Sequence, residues 1–294
     1  MSWRTIVVSK SAKLDYQMGY MVVRQEETTK IFLNEISTVI LETTAISITG
    51  TLMCELVKNK IKVVFCDEKR NPSSELVPYY GSHDTSAKIR NQIAWSDDIK
   101  ASVWTEIVTE KIRKQKELLE RACKKEEARL LKKYIDEMQY GDSTNREGHA
   151  AKVYFNALFG KDFTRTLDCN TNAALNYGYS IVLSSFTREI VSNGYITQIG
   201  LFHDNMFNQF NLASDLMEPF RPIVDQAVYD MDLQTFEKEE KIELVNILNQ
   251  SVHINDRSEY VNNAIEIYCR SIFDALSDND IAMIKFYSLQ GKKE

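Results

Sequence analysis

The sequence is poor in the residues that interrupt regular secondary structure, with only 10 glycines and 4 prolines among 294 residues. Collagen-like and proline-rich architectures are therefore excluded. The hydrophobic fraction of 44% and the charged fraction of 27% are ordinary for a folded protein, which also excludes a disordered chain. At the usual domain size of roughly 150 residues, this length predicts two domains, each large enough to bury a core.

Cysteine and long apolar runs are scarce as well. The five cysteines are widely scattered and contain no CxxC pair, so neither a zinc knuckle nor a disulfide framework is indicated. The N-terminal MSWRTIVVSK lacks the apolar region of a signal peptide, and no run approaches the roughly 18 apolar residues that span a bilayer. We therefore expect a cytoplasmic protein with reduced cysteines and no membrane partner.

Neither sign of charge dominates, because 36 Lys and Arg face 42 Asp and Glu, for a formal net charge of −6. Taken alone, this acidic balance argues against a nucleic-acid partner. The charge is uneven, however: residues 1–80 carry +1, residues 81–146 carry +2 and residues 147–294 carry −9. DNA responds to charges within a Debye length of about 8 Å and not to the total for the chain. The acidic balance therefore does not exclude DNA.

The distribution of proline indicates the domain organisation, since 140 residues between Pro78 and Pro219 contain none. Before Pro72, short β-branched runs alternate with polar turns, a pattern typical of strands. From about Ala101 onward, apolar residues recur at helical spacing. The sequence therefore predicts an α+β protein, with a small β-rich N-terminal domain linked to a larger all-helical domain. The predicted boundaries are 1–80 for the β-rich domain, 81–100 for the linker and 101–294 for the helical domain.

Within the helical domain, the spacing predicts one long helix from Ala101 to Met138, ended by Gly141. Its segment from Lys111 to Lys133 contains ten Lys or Arg and four Glu. The simplest interpretation is a solvated helix face with Glu–Lys pairs four residues apart. Further helices are predicted at 148–159, 173–193, 205–218, 241–248 and 260–276, with another at 46–58 in the β-rich domain.

The segment DSTNREGHAAKVYF (142–155) contains the first candidate for chemistry. Asp142, Ser143 or Thr144 is suited to cap a helix whose first turn holds Glu147. A carboxylate at that position is commonly a capping-box or dipole-stabilised residue. The small residues that follow in GHAA also allow another backbone or a substrate to approach closely, which makes Glu147 a catalytic candidate.

The segment GLFHDNMFNQFNLASDLMEPFRPIVDQ (200–226) contains the other candidate site residues. His203 follows Gly200 and two apolar residues, so it is either an ordinary loop or core histidine or a ligand. Asp215 and Glu218 are three residues apart, which predicts one helix face and Cβ atoms roughly 5–6 Å apart. Two carboxylates at such a short distance repel each other unless a cation lies between them. The pair is therefore either an exposed acidic face or part of a metal site.

Together, one imidazole and two or three carboxylates suit Mg²⁺ or Mn²⁺ better than Zn²⁺, which prefers thiolates and several histidines. A site of this kind stabilises in-line displacement at phosphorus. The sequence has no P-loop, GxGxxG, GxSxG or HExxH motif. Nucleotide-switch, dinucleotide-binding and hydrolase-triad functions therefore have no motif support.

Three blocks, NREGHAAKVYF, GLFHDN and LASDLMEPFRPIVD, resemble in this order the signature blocks of the universal CRISPR-associated integrase, the metal-dependent spacer-acquisition enzyme of CRISPR systems. The N-terminal part, from ISTVILETTAISITG to the linker, resembles the β-domain and linker of the type II-A branch. The likeness covers essentially the whole chain. It implies that residues 1–80 form a dimerisation domain and that residues 101–294 form the catalytic domain.

By this resemblance, Glu147, His203 and Glu218 occupy the family's three catalytic metal-ligand positions, with Mg²⁺ or Mn²⁺ as the cofactor. Asp215 is at the position of an additional acidic residue. Many relatives have Asp as the third ligand, so Glu218 departs by one methylene, which puts the metal distance and the choice of metal in doubt. Arg221 belongs to the same block, where it either pairs with a carboxylate or holds a phosphate.

The activity that the resemblance implies is DNA integration, in which the 3′-hydroxyl of a pre-spacer DNA attacks a phosphodiester at the leader–repeat junction and then at the far end of the repeat. The implied assembly is a homodimer, two of which flank a dimer of the small ferredoxin-like CRISPR adaptation subunit. The type II effector nuclease and a ring-shaped DNA-end-binding protein are further implied partners.

Two alternatives stay open at this point. One is a metal-dependent DNA endonuclease that acts by hydrolysis. The other is a non-catalytic helical DNA-binding scaffold in which Asp215 and Glu218 merely face solvent. Given the resemblance, DNA contact and a solvated face are equally supported interpretations of the basic segment. The predicted DNA contacts are Lys111, Lys114, Lys124, Lys125 and Lys132.

Overall fold

Two four-stranded sheets form the N-terminal part of the protein, in a computed structural model that describes residues 4–78, 82–231 and 233–289. The elements of this part are β1 (Arg4–Val8), β2 (Ala12–Gln17), β3 (Tyr20–Arg24), β4 (Thr28–Phe32), β5 (Ile36–Leu41), β6 (Ile46–Ile48), α1 (Gly50–Lys58), β7 (Lys62–Cys66) and β8 (Pro72–Glu75). One sheet has the order β1-β5-β7-β8, with β1, β5 and β7 parallel, and the other has the order β4-β3-β2-β6.

The central strand β5 joins this part to the rest of the molecule. All six of its residues are buried, and alternate side chains enter different cores. Val39 and Leu41 pack with the second sheet and α1, whereas Ile40 packs against the helical part. A strand that is covered on both faces needs a continuous apolar run, and the sequence ISTVIL comes close to one.

The remainder of the chain is mainly helical. Its elements are α2 (Thr85–Ala94), α3 (Asp97–Arg121), α4 (Lys125–Asp136), α5 (Arg146–Phe159), α6 (Asn170–Ser192), α7 (Asn211–Leu216), α8 (Arg221–Met231), α9 (Lys238–Asn246), β9 (Ser251–Ile254), β10 (Arg257–Tyr260) and α10 (Val261–Asp278). The predicted α+β class is confirmed. The structure adds the antiparallel hairpin β9–β10 to a region that the sequence predicted as all-helical. The range 81–100, predicted as a linker, contains α2 and the first turn of α3.

Helix α6 is the central element of the helical part, with 14 of its 23 residues buried. A Cβ on Gly178 would lie inside contact distance of the Val224 side chain, so α6 and α8 approach more closely than any larger residue permits. Hydrogen bonds join the helical part to the β-rich part. Arg188 Nε donates to the carbonyl of Lys60 at 2.8 Å, Lys241 Nζ donates to that of Lys69 at 3.0 Å, and Ser184 Oγ donates to the carboxylate of Glu75 on β8 at 3.3 Å.

The predicted long helix from 101 to Met138 is wrong, because the chain reverses between α3 and α4. Cys123 has a left-handed φ of 58°. The N–H of Lys124 donates to the carbonyl of Leu119 at 2.8 Å, and that of Cys123 donates to Glu120 at 3.1 Å. This is a Schellman C-cap, which normally has glycine at the left-handed position. The basic segment therefore spans a helical hairpin instead of one straight helix.

Two shorter predicted helices also differ. Residues 46–58 form a strand before the helix, which begins at Gly50 with Thr49 as its N-cap. The helix predicted at 205–218 is limited to α7, because Asn205 and Asn208 accept hydrogen bonds, both at 2.9 Å, from the backbone two residues ahead. Such side-chain turns compete with helix formation. After α7, a short 3₁₀ turn runs over Glu218–Phe220.

No helix within the described ranges combines the length and the apolar character needed to cross a membrane.

Candidate active site

The first turn of α5 presents Glu147. Both carboxylate oxygens of Asp142 accept backbone hydrogen bonds, from Arg146 at 2.6 Å and from Glu147 at 3.0 Å, and Asn145 accepts one from Gly148 at 3.3 Å. Asp142 and Asn145 therefore cap the helix, as the sequence predicted for Asp142. The side chain of Glu147 is not needed for capping and instead forms an ion pair with Lys111.

Glu218 forms an ion pair with the same lysine. Its carboxylate pairs with Lys111 through Oε2 and with Arg221 Nε at 2.9 Å through Oε1. The residue is only 5% exposed. Burial alone would raise the pKa of Glu218, but the positive charges of Arg221 and Lys111 outweigh it and hold the pKa at about 2. Glu147 and Glu218 thus face one point, at which the Lys111 ammonium lies.

His203 is fixed by a buried carboxylate. Asp215 is fully buried and accepts backbone N–H groups from Leu201 at 2.6 Å, Phe202 at 3.1 Å and His203 at 3.2 Å. It also binds Nδ1 of the His203 ring. A Cβ on Gly200 would lie 2.6 Å from Oδ2 of Asp215 and closer still to the His203 carbonyl. Only glycine allows the loop to close around the carboxylate in this way.

Aromatic rings restrict the imidazole further. The Phe202 ring stacks on Trp104 with centroids 4.5 Å apart, and the His203 ring meets Trp104 edge-on at 5.8 Å. The hydrogen bond to Asp215 outweighs burial and raises the pKa of His203 above its ordinary value, with Asp215 and Glu218 adding negative charge nearby. Because Nδ1 is bound to Asp215, Nε2 is the nitrogen left to act on a ligand.

The predicted pairing of Asp215 with Glu218 on one helix face is not what the structure shows. Helix α7 ends at Leu216, so the two residues lie on different elements. Asp215 points to the loop at 201–203, whereas Glu218 points to Lys111 and Arg221. Their mutual repulsion is relieved by separate donors and not by one shared cation. Both are buried, which contradicts the alternative in which they face solvent.

The donor set agrees in chemistry with the expected cofactor. Two carboxylates and one imidazole nitrogen are the hard O and N ligands that Mg²⁺ and Mn²⁺ accept. Glu147 and Glu218 already converge on one point, which fits a bridging cation. Among the residues that the structure describes, no three acidic, histidine or cysteine side chains form a ready cluster around a metal. The Lys111 ammonium pairs with both carboxylates.

Behind Arg221 lies a group of buried polar side chains that the sequence pattern did not predict. The Arg221 guanidinium is 4.6 Å from the centroid of the Tyr179 ring. The hydroxyl of Tyr179 and that of Tyr154 both donate to the buried Asp225, the latter at 2.9 Å. Burial raises the pKa of Asp225 to about 6. The sequence feature that could have indicated Asp225 is its spacing: it follows Arg221 by four residues and therefore shares its helix face.

A cavity of about 230 Å³ opens beside the two carboxylates. Besides Lys111, Glu147 and Glu218, it is lined by Arg165, another residue that the sequence pattern did not predict. Arg165 donates to the side-chain amides of Asn172 and Asn176 and lies 5.2 Å from the Tyr179 ring centroid. Because these hydrogen-bond partners are neutral, Arg165 keeps its positive charge for an anion in the cavity.

The five lysines predicted to contact DNA fall into two groups. Lys111 and Lys114 are buried, at 7% and 5% exposure, and Lys114 pairs with Glu110 at 3.1 Å. The others lie on the turn into α4 and on α4 itself: Lys124 is half-buried, and Lys125 and Lys132 are exposed. The structure therefore does not present all five on one basic surface.

The fold and the site together define a class in which a β-rich part is joined to a helical part that carries two carboxylates and an imidazole. Among solved structures, the chain is similar to a casposase bound to integration product, with a TM-score of 0.76, 17% identity, and coverage of 96% of this chain and 92% of the other. It also matches one chain of a Cas6-RT-Cas1–Cas2 complex, with a TM-score of 0.73 and 17% identity, over 99% of its own length but 36% of that chain. These likenesses establish the fold.

Sequence comparison identifies the family. Residues 5–245 match the family model described as CRISPR associated protein Cas1. Over 300 aligned residues, the chain is 30% identical to the CRISPR-associated endonuclease Cas1 of Neisseria meningitidis serogroup C (strain 8013), with 100% of this chain and 99% of the relative covered. The chain belongs to the Cas1 family. The family predicted from the three motif blocks is thereby confirmed, while the type II-A branch stays a prediction.

Proposed function

We propose that this Cas1 family protein integrates pre-spacer DNA into a CRISPR array by metal-dependent transesterification. In each reaction, a new bond forms between the attacking 3′-oxygen and phosphorus while the existing P–O bond breaks. The number of phosphodiesters is unchanged, so no external energy source is needed. The observation that carries this proposal is the convergence of Glu147 and Glu218 on one point, with Glu218 near enough for its charge to raise the pKa of His203.

The proposed metal ligands are Glu147, Glu218 and His203, with Mg²⁺ or Mn²⁺ as the ion. When bound, such an ion stabilises negative charge that develops on the phosphoryl oxygens. Glu218 is charged at neutral pH because its pKa is about 2. Its charge is therefore available for an ion, and Arg221 keeps the carboxylate oriented through the 2.9 Å contact at Oε1.

Asp215 is the proposed positioning residue for His203. Its carboxylate is fixed by three backbone N–H groups, so it holds the imidazole through Nδ1 and leaves Nε2 for the ligand role. Carboxylate–histidine pairs of this kind set both the tautomer and the ring orientation in metal sites. Trp104 and Phe202 limit rotation of the ring from its other sides.

Arg165 and Arg221 are proposed to hold phosphate oxygens of the target strand. Both guanidiniums lie against the Tyr179 ring and line the cavity beside the carboxylates. Planar guanidinium groups suit phosphate because they donate two hydrogen bonds in a fixed geometry. For Arg221, this combines the two roles that the sequence left open, since it also pairs with Glu218.

We further propose that Lys124, Lys125 and Lys132 contact the DNA backbone outside the active site. The buried positions of Lys111 and Lys114 favour other roles for those two residues. We also propose homodimerisation through residues 1–80 and assembly with a dimer of the small ferredoxin-like adaptation subunit. A matched structure is described as a Cas6-RT-Cas1–Cas2 complex, which supports a second CRISPR subunit as partner. The type II effector nuclease, the ring-shaped DNA-end-binding protein and a cytoplasmic location stay predictions.

A joining assay tests the function. Wild-type protein, with and without the small partner subunit, is given a 3′-hydroxyl duplex and a leader–repeat DNA in the presence of Mn²⁺. We expect Glu147→Ala and His203→Ala to reduce joined product roughly 100-fold or more, since each removes a metal ligand. Glu266→Ala is the control, because Glu266 pairs with Arg270 on α10. Undiminished joining by a folded Glu147→Ala protein contradicts the proposal.

Hydrolytic endonuclease activity is the second candidate, because the relative from Neisseria meningitidis is described as an endonuclease. The same ligands serve both reactions, so the products distinguish them. An integrase gives strand-transfer species with a 3′-hydroxyl substrate and none with a 3′-blocked one. A nuclease gives the same simple fragments with both substrates.

A further inference from the structure

We propose that Lys111 is a built-in counter-cation, which holds Glu147 and Glu218 together in the metal-free protein and competes with the divalent ion for their carboxylates. This inference rests on the proposed function, because it concerns the same metal site. The basis is that one ammonium pairs with both carboxylates. A lysine on the outer surface of a basic helix would not do so.

The surroundings of Lys111 explain why this contact is strong. Its side chain is 9% exposed, that of Glu218 is 6% exposed and that of Glu147 is 29% exposed. Two carboxylates that face the same point repel unless a cation separates them. Removing one partner from a buried ion pair is costly because the remaining charge is left without compensation. Lys111 therefore stabilises the arrangement of Glu147 and Glu218 when no ion is present.

The balance of charge shows why the lysine and an ion compete. Glu147 and Glu218 contribute two negative charges, and Lys111 and Arg221 contribute two positive ones, so these four groups are neutral together. A divalent ion placed between the carboxylates adds two positive charges next to the ammonium. Repulsion at such short distances is large at the low effective dielectric of a protein interior. Binding of the ion is therefore favoured when Lys111 withdraws.

Lys111, and not Arg221, is the residue that can move. Arg221 is held by Glu218 and by the Tyr179 ring. A lysine has a flexible four-carbon stem and a compact charge. The cavity of about 230 Å³ that Lys111 itself lines provides room for the displaced ammonium.

The test compares Lys111→Met with Lys114→Met in the full chain. Lys114 is an equally buried lysine of α3, but its carboxylate partners are Glu110 and Glu117. We expect Lys111→Met to melt at a lower temperature than wild type in EDTA, yet to bind Mn²⁺ about tenfold more tightly, as measured by electron paramagnetic resonance or calorimetry. Lys114→Met should also melt at a lower temperature but bind Mn²⁺ with wild-type affinity.

Equal or weaker Mn²⁺ affinity of Lys111→Met overturns the inference, because the ammonium would then not compete with the ion. Lys111→Gln gives the same comparison if the methionine variant does not fold. Glu147→Gln separates the two proposals. If wild type binds Mn²⁺ no better than Glu147→Gln, the proposed metal site itself is wrong. If Glu147→Gln weakens binding and neither Lys111 variant strengthens it, only the role of Lys111 is wrong.

Discussion

The two halves of the candidate site are held in different ways. On one side, His203 is bound to a carboxylate that the backbone of residues 201–203 encloses, and Gly200 makes room for that closure. On the other side, Glu147 and Glu218 are held by a lysine side chain. The histidine half is fixed by backbone geometry, whereas the carboxylate half is fixed by charge. We therefore expect the first to be sensitive to shape and the second to be sensitive to charge.

Asp215→Asn should have the largest effect on stability, because it changes the anchor of the histidine half. An amide cannot accept all of the hydrogen bonds that the carboxylate accepts, and its NH₂ group would face backbone donors. We expect the free energy of unfolding to fall by about 3 kcal/mol. Joining should fall roughly 10- to 100-fold. Urea denaturation and the joining assay measure the two effects.

Asp97→Asn serves as the control for Asp215→Asn, because the Asp97 side chain is 98% exposed. Asp97 lies in the first turn of α3 and pairs with Lys100, so Asp97→Asn should cost no more than about 1 kcal/mol of stability and should leave joining unchanged. If Asp215→Asn is as stable and as active as this control, the carboxylate does not position His203.

Gly200→Ala is the next largest perturbation, since its Cβ would lie 2.6 Å from the Asp215 carboxylate. We expect about 2 kcal/mol of destabilisation from the forced displacement, measured by urea denaturation. Gly50→Ala is the matched control, because no atom lies within 4 Å of a Cβ at that position. Equal stability of the two alanine variants would show that the loop adjusts freely and would remove the contrast between the two halves.

Glu218→Asp should have a smaller effect, because it shortens the side chain but keeps the charge that the carboxylate half requires. The flexible Lys111 can follow the shorter carboxylate, so we expect joining to fall by no more than about tenfold. Glu218→Gln keeps the length and removes the charge, and it should reduce joining roughly 100-fold. The reverse order of the two variants in the joining assay would show that length matters more than charge.

Charge reversal on the α4 hairpin should have the smallest effect on chemistry. Replacing Lys124, Lys125 or Lys132 by Glu should lower the slope of log affinity against log salt by about 1 for each phosphate that the lysine neutralises in the wild-type complex. Lys58→Glu, at an exposed position on α1, should leave the slope at its wild-type value. An unchanged slope in the α4 variants would return this surface to the solvated-face interpretation.

Much of the fold, and the candidate site residues that the structure brings near one another, could be predicted from the sequence. The proline distribution predicted the change from strands to helices, and the three motif blocks identified the family. The reversal after α3 was not predictable from propensity, because Cys123 occupies a left-handed position where glycine is usual. The separation of Asp215 from Glu218 could not be predicted either. Residues three positions apart on a helix share a face, and these two are separated only because α7 ends at Leu216.

The position of Lys111 was predictable in part. It follows the buried Trp104 by seven residues and Ile107 by four, so helical periodicity places it on the apolar face of α3. Its charge led to a surface interpretation instead. The sequence does not reveal which carboxylates pair with Lys111, because Glu147 and Glu218 come from elements that only the tertiary fold brings to α3.

The most direct test of the proposed site is the location of Mn²⁺ in crystals of the full chain, found by anomalous scattering at the manganese edge. We expect one ion at ligand distance from Glu147, Glu218 and Nε2 of His203, with the Lys111 ammonium withdrawn from between the carboxylates. An ion bound elsewhere, with Lys111 still paired to both carboxylates, would contradict both the metal site and the role of the lysine.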